Sequence, residues 1–414
     1  MVEIDKNTRL KVRILNILLM ALLFVLISAA LGYAMTYLLG VGATASEFGV
    51  LSAVFVVFTA LLQPMLGKIS DRSRYFDWKK QLQIIAVGVE INAILIMLVQ
   101  SKWVIMLMFG LFMVGVNCLC PFVYSASFYY SRFGIDVNFG RMRALGSVSY
   151  AIASFIIGRL VASLGLTVIP YVLAFTSALF SLVVYLLPRF EEKPLGREEF
   201  EKETDKGEVI YGKDRTPFFK KYPAFLAMSI AVIMIMYMNG IASRYLTVIV
   251  QHAGGNSADL GTAKAVAAMC EVPMVFFFSK LVEKFTVSRM ILFGAIGFVI
   301  RLTILFFANG MPMVLVGSVF SSISYAIMAP AVVYYADHAT RKEDAVTGQT
   351  VINMVCLLAE IVANLCSGFL YDNLGYKAMI GVGIIVGIAS IFVTIWAIRQ
   401  EKPLPETETG VKEA

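Results

Sequence analysis

No charged side chain occurs between residues 14 and 46, and the same holds for 103–131, 160–188, 222–243, 302–336 and 378–398. Between Lys80 and Lys102 the only charge is Glu90. A helix crosses the hydrocarbon of a bilayer in about 20 apolar residues. Each stretch is therefore long enough for one crossing, and those of 29 to 35 residues hold a crossing plus its turn. The composition agrees. Of 414 residues, 59% are hydrophobic and 15% charged, against about 25% charged in soluble domains. Twelve crossings would use roughly 240 positions. Such a chain is not a soluble enzyme, a disordered chain or a fibre. Five cysteines without a close CxxC pair and only two histidines argue against a disulfide frame or a metal centre, and no cofactor is expected. The net charge of +7 is modest; basic residues beside membrane spans record orientation, and no nucleic-acid partner is needed to explain them.

Twelve spans are expected near 12–39, 46–68, 80–101, 103–130, 138–162, 166–188, 222–251, 259–282, 287–308, 311–336, 346–371 and 377–398. Asn309-Gly310-Met311-Pro312 separates two of them, because Gly and Pro punctuate helices. Orientation follows from Lys and Arg. Lys6, Arg9, Lys11, Arg13, Lys68, Arg72, Arg74, Lys79, Lys80, Lys284, Arg289, Arg341, Lys342, Arg399 and Lys402 fall on one side, and little beyond Lys102 and Lys377 on the other. Both termini are therefore expected in the cytoplasm, with the protein in the inner membrane and functional as a monomer. The first apolar stretch is too long for a cleavable signal and reads as span one.

Arg189–Lys221 carries 18 of the chain's 63 charges in 33 residues, a run that enters neither lipid nor a core. It divides the chain into a first six-span bundle (1–188), a cytoplasmic linker (189–221), a second six-span bundle (222–398) and a solvated tail (399–414). The halves repeat weakly. Gly158-Arg159-Leu160 and Ser163-Leu164-Gly165 are echoed by Gly368-Phe369-Leu370 and Asn373-Leu374-Gly375 at an offset of 210. Phe139-Gly140-Arg141 is echoed by Thr347-Gly348-Gln349, and Pro64 by Pro273. The expected fold is thus an all-α membrane protein of twelve transmembrane helices in two pseudo-symmetric six-helix bundles, an architecture in which solute sits between the halves and the halves rock around it.

Gly67-Lys68-Ile69-Ser70-Asp71-Arg72-Ser73-Arg74 resembles the signature between spans two and three of the major facilitator superfamily. Gly67, Asp71, Arg72 and Arg74 would then form a cytoplasmic gate, the glycine permitting close helix approach and the charges forming a latch. Three further motifs resemble the oligosaccharide–proton symporter family of lactose permease: Leu62-Gln63-Pro64-Met65-Leu66-Gly67, Phe139-Gly140-Arg141-Met142-Arg143-Ala144-Leu145-Gly146, and Leu370-Tyr371-Asp372-Asn373-Leu374-Gly375.

A charge at mid-bilayer costs from about 2.5 to over 10 kcal/mol, so each intramembrane charge needs a partner or a wet cavity. Those here are Glu90, Arg143, Arg244, Lys264, Glu271, Arg301 and Glu360. Residues seven apart share a helix face, which aligns Arg143, Ser147 and Tyr150. The resemblance implies that Arg143 binds sugar and that Tyr150 stacks on its ring. A guanidinium fork suits neighbouring hydroxyls, and an aromatic face suits an apolar ring side. The alternative is that Arg143 pairs for packing and Tyr150 is an interhelical contact. Glu271 falls where the family has a sugar-binding glutamate; its alternative is pairing with Lys264, seven residues earlier.

Two positions depart from the family. Its carboxylate on span four is replaced by Ser125, with Tyr124 beside it. Span ten carries no acid or histidine before Asp337, and its expected polar face is Ser318, Ser322 and Tyr325; Arg301 matches the family's arginine on span nine. Span eleven carries a polar stripe, Asn353, Glu360, Asn364 and Ser367. Coupling is therefore assigned to Glu271, Arg301 and Glu360, the alternative for Glu360 being a structural pair with Arg301 or Arg244. Tyr237 and Arg244 share a face, as do Tyr33 and Tyr37. Cys118 and Cys120 point about 200° apart around their helix and suit no metal. The substrate-site candidates are Arg143, Tyr150, Glu271, Ser147 and Tyr124. Together these imply a secondary transporter that moves a sugar or glycoside with protons. The rival cargo is a nucleoside, an aromatic carboxylate or another organic anion, for which Arg143, Arg244, Arg301 and Lys264 are suited. No HExxH, GxSxG or histidine cluster suggests an enzyme.

Overall fold

The computed structural model describes residues 5–72, 78–135, 139–190, 217–341 and 344–401, leaving aside the side chains at 70–72, 132, 139–141, 275, 276, 279, 345 and 346. The expected linker residues 191–216 and the tail 402–414 lie outside the described residues. Ten helices are long and apolar enough to cross a membrane. One of them, Thr347–Gln400, is two crossings joined at Gly375, whose φ is 81°. The 28-residue helix Ser257–Lys284 completes twelve.

The first half comprises α1 (Lys6–Ile27), a π-turn (Ser28–Gly32), α2 (Ala34–Gly40), α3 (Ala45–Arg72), α4 (Trp78–Leu98), α5 (Lys102–Arg132), α6 (Phe139–Leu164) and α7 (Val168–Leu186). The second comprises α8 (Phe218–Lys221), α9 (Pro223–Arg244), α10 (Leu246–His252), α11 (Ser257–Lys284), α12 (Val287–Phe306), α13 (Met311–Val319), a 3-10 turn (Phe320–Ser322), α14 (Tyr325–His338) and α15 (Ala345–Gln400). Three crossings expected to be continuous are broken. The first and seventh interrupt at Tyr33 (φ −111°, ψ 7°) and Tyr245 (φ −95°, ψ 13°), each tied by its hydroxyl to a neighbouring helix. The tenth interrupts at the 3-10 turn, where Ser318, Ser322 and Ser324 bond back to Val314, Val319 and Phe320 carbonyls, a habit that bends helices.

The two halves meet where α3 packs on α15 and α6 on α11. Neither contact leaves room for side chains. A Cβ on Gly158 would lie 2.5 Å from the Ser257 carbonyl oxygen, and one on Gly261 would lie 2.4 Å from that of Ser154. A Cβ on Gly368 would lie 2.4 Å from the Ala45 carbonyl oxygen, and one on Gly49 would lie 2.2 Å from that of Asn364. Small residues are what let helix backbones approach this closely in membranes. At each crossing one tyrosine hydroxyl donates to a backbone carbonyl: Tyr33 to Ser154 at 2.5 Å, Tyr245 to Asn364 at 2.7 Å.

These sets correspond member by member. Tyr33, Ser154, Gly158, Ser257 and Gly261 stand to Tyr245, Asn364, Gly368, Ala45 and Gly49 at separations of 210 or 212 positions. The left-handed glycines obey the same rule, Gly42 with Gly254 and Gly165 with Gly375. Thr36 and Thr247, one from each half, hydrogen-bond to one another at 3.0 Å, although the offset of 212 matches Thr36 with Val248.

One asymmetric contact reinforces the same end. The N-terminus of α3 has orphan N–H groups, as every helix does. Thr44 and Glu47 form a reciprocal cap, the Glu47 N–H donating to Thr44 Oγ1 at 3.1 Å and the Thr44 N–H to Glu47 Oε2 at 2.8 Å. The Ala45 and Ser46 N–H groups donate across the interface to the Asp372 carboxylate, at 3.2 and 2.6 Å. The positive end of the helix dipole favours that charge. Lys102 pairs with Glu47 at 2.6 Å. Burial pushes the Asp372 carboxyl up, but the hydrogen bonds from Ser46, Thr44 and Ala45 outweigh it, and the net direction is down.

Two outcomes are expected. Gly368→Ala and Gly158→Ala should each destabilise the protein by about 1–3 kcal/mol through overpacking, seen as a lowered Tm in detergent, whereas Gly88→Ala, which meets nothing within 4 Å, should not. Because the folded pKa of Asp372 is depressed, its contribution is complete above the ordinary value of about 3.9 and is lost only as pH falls through the lower folded value. Labelling of a cysteine introduced at position 46 should therefore stay slow from pH 7 to pH 5, and Asp372→Ala should accelerate it at every pH in that range.

Candidate functional site

The chamber between the halves is built by α5 and α6 on one side and by α9, α11, α12, the α13–α14 turn and α15 on the other. Arg143 is exposed on α6; its Nη1 donates to Tyr124 Oη at 3.3 Å, and its guanidinium lies 5.7 Å from the ring centroid. Tyr325, from the second half, is within electrostatic reach of Arg143, Glu271 and Glu360, so Arg143 faces the partner half. Ser147 turns its hydroxyl back to the Arg143 carbonyl at 3.4 Å. Tyr150 is within reach of Glu271, Arg244 and Tyr325, and its hydroxyl lies 3.5 Å from where a Cβ of Gly32 would stand. Four of the five substrate-site candidates therefore converge from α5, α6 and α11 on one space, and Ser147 sits among them with its hydroxyl engaged.

Glu271 does not pair with Lys264. It accepts a short hydrogen bond from Ser321, and Ser321 in turn accepts from Arg301 Nη1 at 3.3 Å. A hydroxyl thus bridges a cation and a carboxylate. Arg301 is 2% exposed, and its Nε has no partner among the described residues. Sequence reasoning placed Ser318 and Ser322 on this face and missed Ser321. The 3-10 turn rotates the register, and both named serines spend their hydroxyls on their own helix. Ser125, where the family has a carboxylate, likewise bonds Phe122 at 2.9 Å.

Glu360 pairs with Arg244 in a short contact, the two side chains being 30% and 22% exposed. Of the two partners considered for it, the fold brings Arg244. A cavity of about 50 Å³ adjoins the pair and is lined also by Ser52, Thr59 and Asn117, so α3 and α5 of the first half touch it. Asn364 and Ser367, further along the stripe, are fully buried with unpartnered side-chain polar atoms among the described residues. Of the gate residues, Gly67 has open space around it; the side chains of Asp71 and Arg72, and Arg74 altogether, lie outside the described residues. No group of three or more metal-ligating side chains occurs among the described residues. A separate cavity of about 960 Å³ lies at the end carrying the termini, between Tyr222, Ser288, Tyr335 and Glu401. There burial pushes the Glu401 carboxyl up against the pull of its bonds from Ser288 and Tyr335.

Residues 13–381 match the MFS_1 like family. The chain belongs to that family, within the major facilitator superfamily. Its solved neighbours are transporters of the same fold. A mutant of the nucleoside transporter NupG superposes with a TM-score of 0.77 at 11% identity, covering 94% of this chain and 100% of that one. A bacterial homologue of the human lysosomal transporter Spinster, inward-facing and occupied, gives 0.68 at 14% identity, covering 96% and 98%. A peptide transporter of the POT type gives 0.69 at 11%, covering 96% of each chain. At these identities the likeness is one of fold. No curated protein matches the sequence. The protein is thus a membrane transporter of major facilitator type.

The Arg244–Glu360 pair generates a test. Breaking a fully buried pair costs about 3–5 kcal/mol, and partial exposure reduces that. Arg244→Gln and Glu360→Gln should each cost about 2 kcal/mol, and the double variant should cost less than their sum by at least about 1 kcal/mol, measured by thermal unfolding in detergent.

Proposed function

We propose that this transporter is a proton-coupled symporter of a sugar or glycoside, embedded in the cytoplasmic membrane with both termini inside and working by alternating access. The observation that carries this reading is the Arg301–Ser321–Glu271 relay, which sets a titratable carboxylate of the second half against Tyr150 of the first. A carboxylate accepts from several hydroxyls at once, and its protonated form donates. Glu271 can therefore sense solute and proton on the same atoms. While ionised it holds Ser321 and, through it, Arg301. Once protonated it releases that attraction and is free to bond a solute hydroxyl. Arg143 and Tyr124 supply donors from the opposite wall. On this reading the contacts around Thr36–Thr247 and Asp372 close the external side, and solute leaves toward the end that carries Asp71, Arg72 and Arg74. The positive-inside pattern of the sequence supports the orientation. The function requires no cofactor and no second subunit.

The test is uptake into proteoliposomes under an imposed pH gradient, with a panel of labelled sugars and glycosides. The wild type should concentrate its substrate when the outside is acidic. Glu271→Gln should abolish concentrative uptake while retaining exchange of solute for solute. Arg143→Ala should raise the half-saturation concentration about 10- to 100-fold, the worth of one or two charge-assisted hydrogen bonds. Concentrative uptake that ignores the pH gradient would rule out proton coupling, and full coupled uptake by Glu271→Gln would remove that residue from the coupling role.

A further inference from the structure

The pseudo-two-fold operation that relates the halves also relates two clusters at the chamber, and they differ in charge. Arg244, Glu360 and Ser52 correspond to Gly32, Tyr150 and Lys264 at separations of 212, 210 and 212 positions. In the first cluster the arginine is neutralised by the glutamate of its own half, and Ser52 of the other half lines the cavity beside them. In the second, glycine replaces the arginine and tyrosine replaces the glutamate. Lys264 of the other half reaches into the vacated space, its Cδ and Cε each 3.9 Å from where a Cβ of Gly32 would stand, with the Tyr150 hydroxyl beside it.

Lys264 is 7% exposed. Among the described residues it makes no ion pair and no hydrogen bond, and the charges that act on it are cationic, Arg244 and Arg301. Glu271, on the same helix, is held by Ser321. The chamber thus contains four cationic residues, Arg143, Arg244, Lys264 and Arg301, against two carboxylates, Glu271 and Glu360. A buried ammonium without a counter-charge costs several kcal/mol, and among the described residues no carboxylate pairs with it to offset that cost. One cluster carries its anion built in; the other lacks one.

We infer that the missing anion arrives with the cargo: the transported solute bears a carboxylate, and Lys264 with the Tyr150 hydroxyl is the subsite that reads it. This deepens the reading above and rests on the chamber being the solute path. Tyr150 and Arg143 are seven residues apart on α6, about 10 Å along the axis. With about 3 Å of hydrogen bond at each end, a hydroxylated acid the size of a sugar acid bridges that rise, its carboxylate on Lys264 and its hydroxyls on Arg143, Tyr124 and Glu271.

The probes are matched pairs that differ only in one oxidised carbon: glucose with glucuronate, galactose with galacturonate, and a phenyl glucoside with the phenyl glucuronide, together with glucose 6-phosphate. Binding is read as the thermal shift of the full-length protein in detergent, and transport as counterflow in proteoliposomes. At least one carboxylate should stabilise the wild type and exchange in counterflow, with its neutral partner at least 10-fold weaker. In Lys264→Met that preference should vanish. The same substitution should raise the Tm of the ligand-free protein, because it keeps the stem and removes the stranded charge; a lowered Tm would mean that Lys264 has a structural role, and would overturn the assignment. Neutral partners that bind and exchange as well as the acids would overturn the inference and leave sugar transport standing. Carboxylates that bind Lys264→Met unchanged would also overturn it, as would a response to the phosphate alone. If no probe of either kind exchanges, the sugar reading falls together with the inference.

Discussion

Everything in this molecule depends on two places where helix backbones touch with nothing between them. Gly158 against Gly261, Gly49 against the Asn364 backbone and Gly368 against the Ala45 backbone bring the halves together closely enough for main-chain atoms to meet, and a tyrosine hydroxyl bonds a main-chain carbonyl beside each contact. A bilayer gives packed helices no hydrophobic incentive to associate, since lipid tails are as apolar as leucine. Close dispersion contact and satisfied polar groups have to supply it. Because the two contacts are copies of one another, the halves are held at a pair of equivalent bearings, and the space enclosed beyond them takes its shape from that.

That duplicated frame makes the unequal chemistry of the chamber readable. Equivalent positions hold Arg244 and Gly32, Glu360 and Tyr150, Ser52 and Lys264. The frame has been kept while the charges have been moved, so that one side closes an ion pair upon itself and the other leaves a buried ammonium unpaired. The relay from Arg301 through Ser321 to Glu271 belongs to the second half alone. Fold and function are thus carried by different residues, and a glycine or tyrosine at a crossing says little about cargo while a lysine one turn away says much.

The sequence made the frame legible because its signals are covalent and periodic. Charge-free runs of fixed length mark the crossings, and Gly158-Arg159-Leu160 against Gly368-Phe369-Leu370 already holds the offset that the crossings obey. Tyr33 and Tyr245 stand 212 positions apart, two more than that offset, so the motif alone does not align the two breaks. The site was less legible. A helical wheel drawn through span ten passes over the 3-10 turn at Phe320–Ser322 and so assigns the wrong serine to the chamber. The sevenfold spacing of Lys264 and Glu271 suggested a pair, but their separation along the axis, about 10 Å, is too great for contact, and Ser321 from another crossing is nearer. Wherever the answer depended on which non-local neighbour arrives first, periodicity was silent.

The threonine contact between the halves has a consequence of its own. Thr36 and Thr247 are the same residue type, and each hydroxyl can give or take the proton of their shared bond. One neutral hydroxyl bond is worth only about 0.5–1.5 kcal/mol, so it does little to fix which way the halves lean. The resting posture of the molecule then depends more on the Asp372 clasp, whose carboxylate takes two main-chain N–H groups of α3.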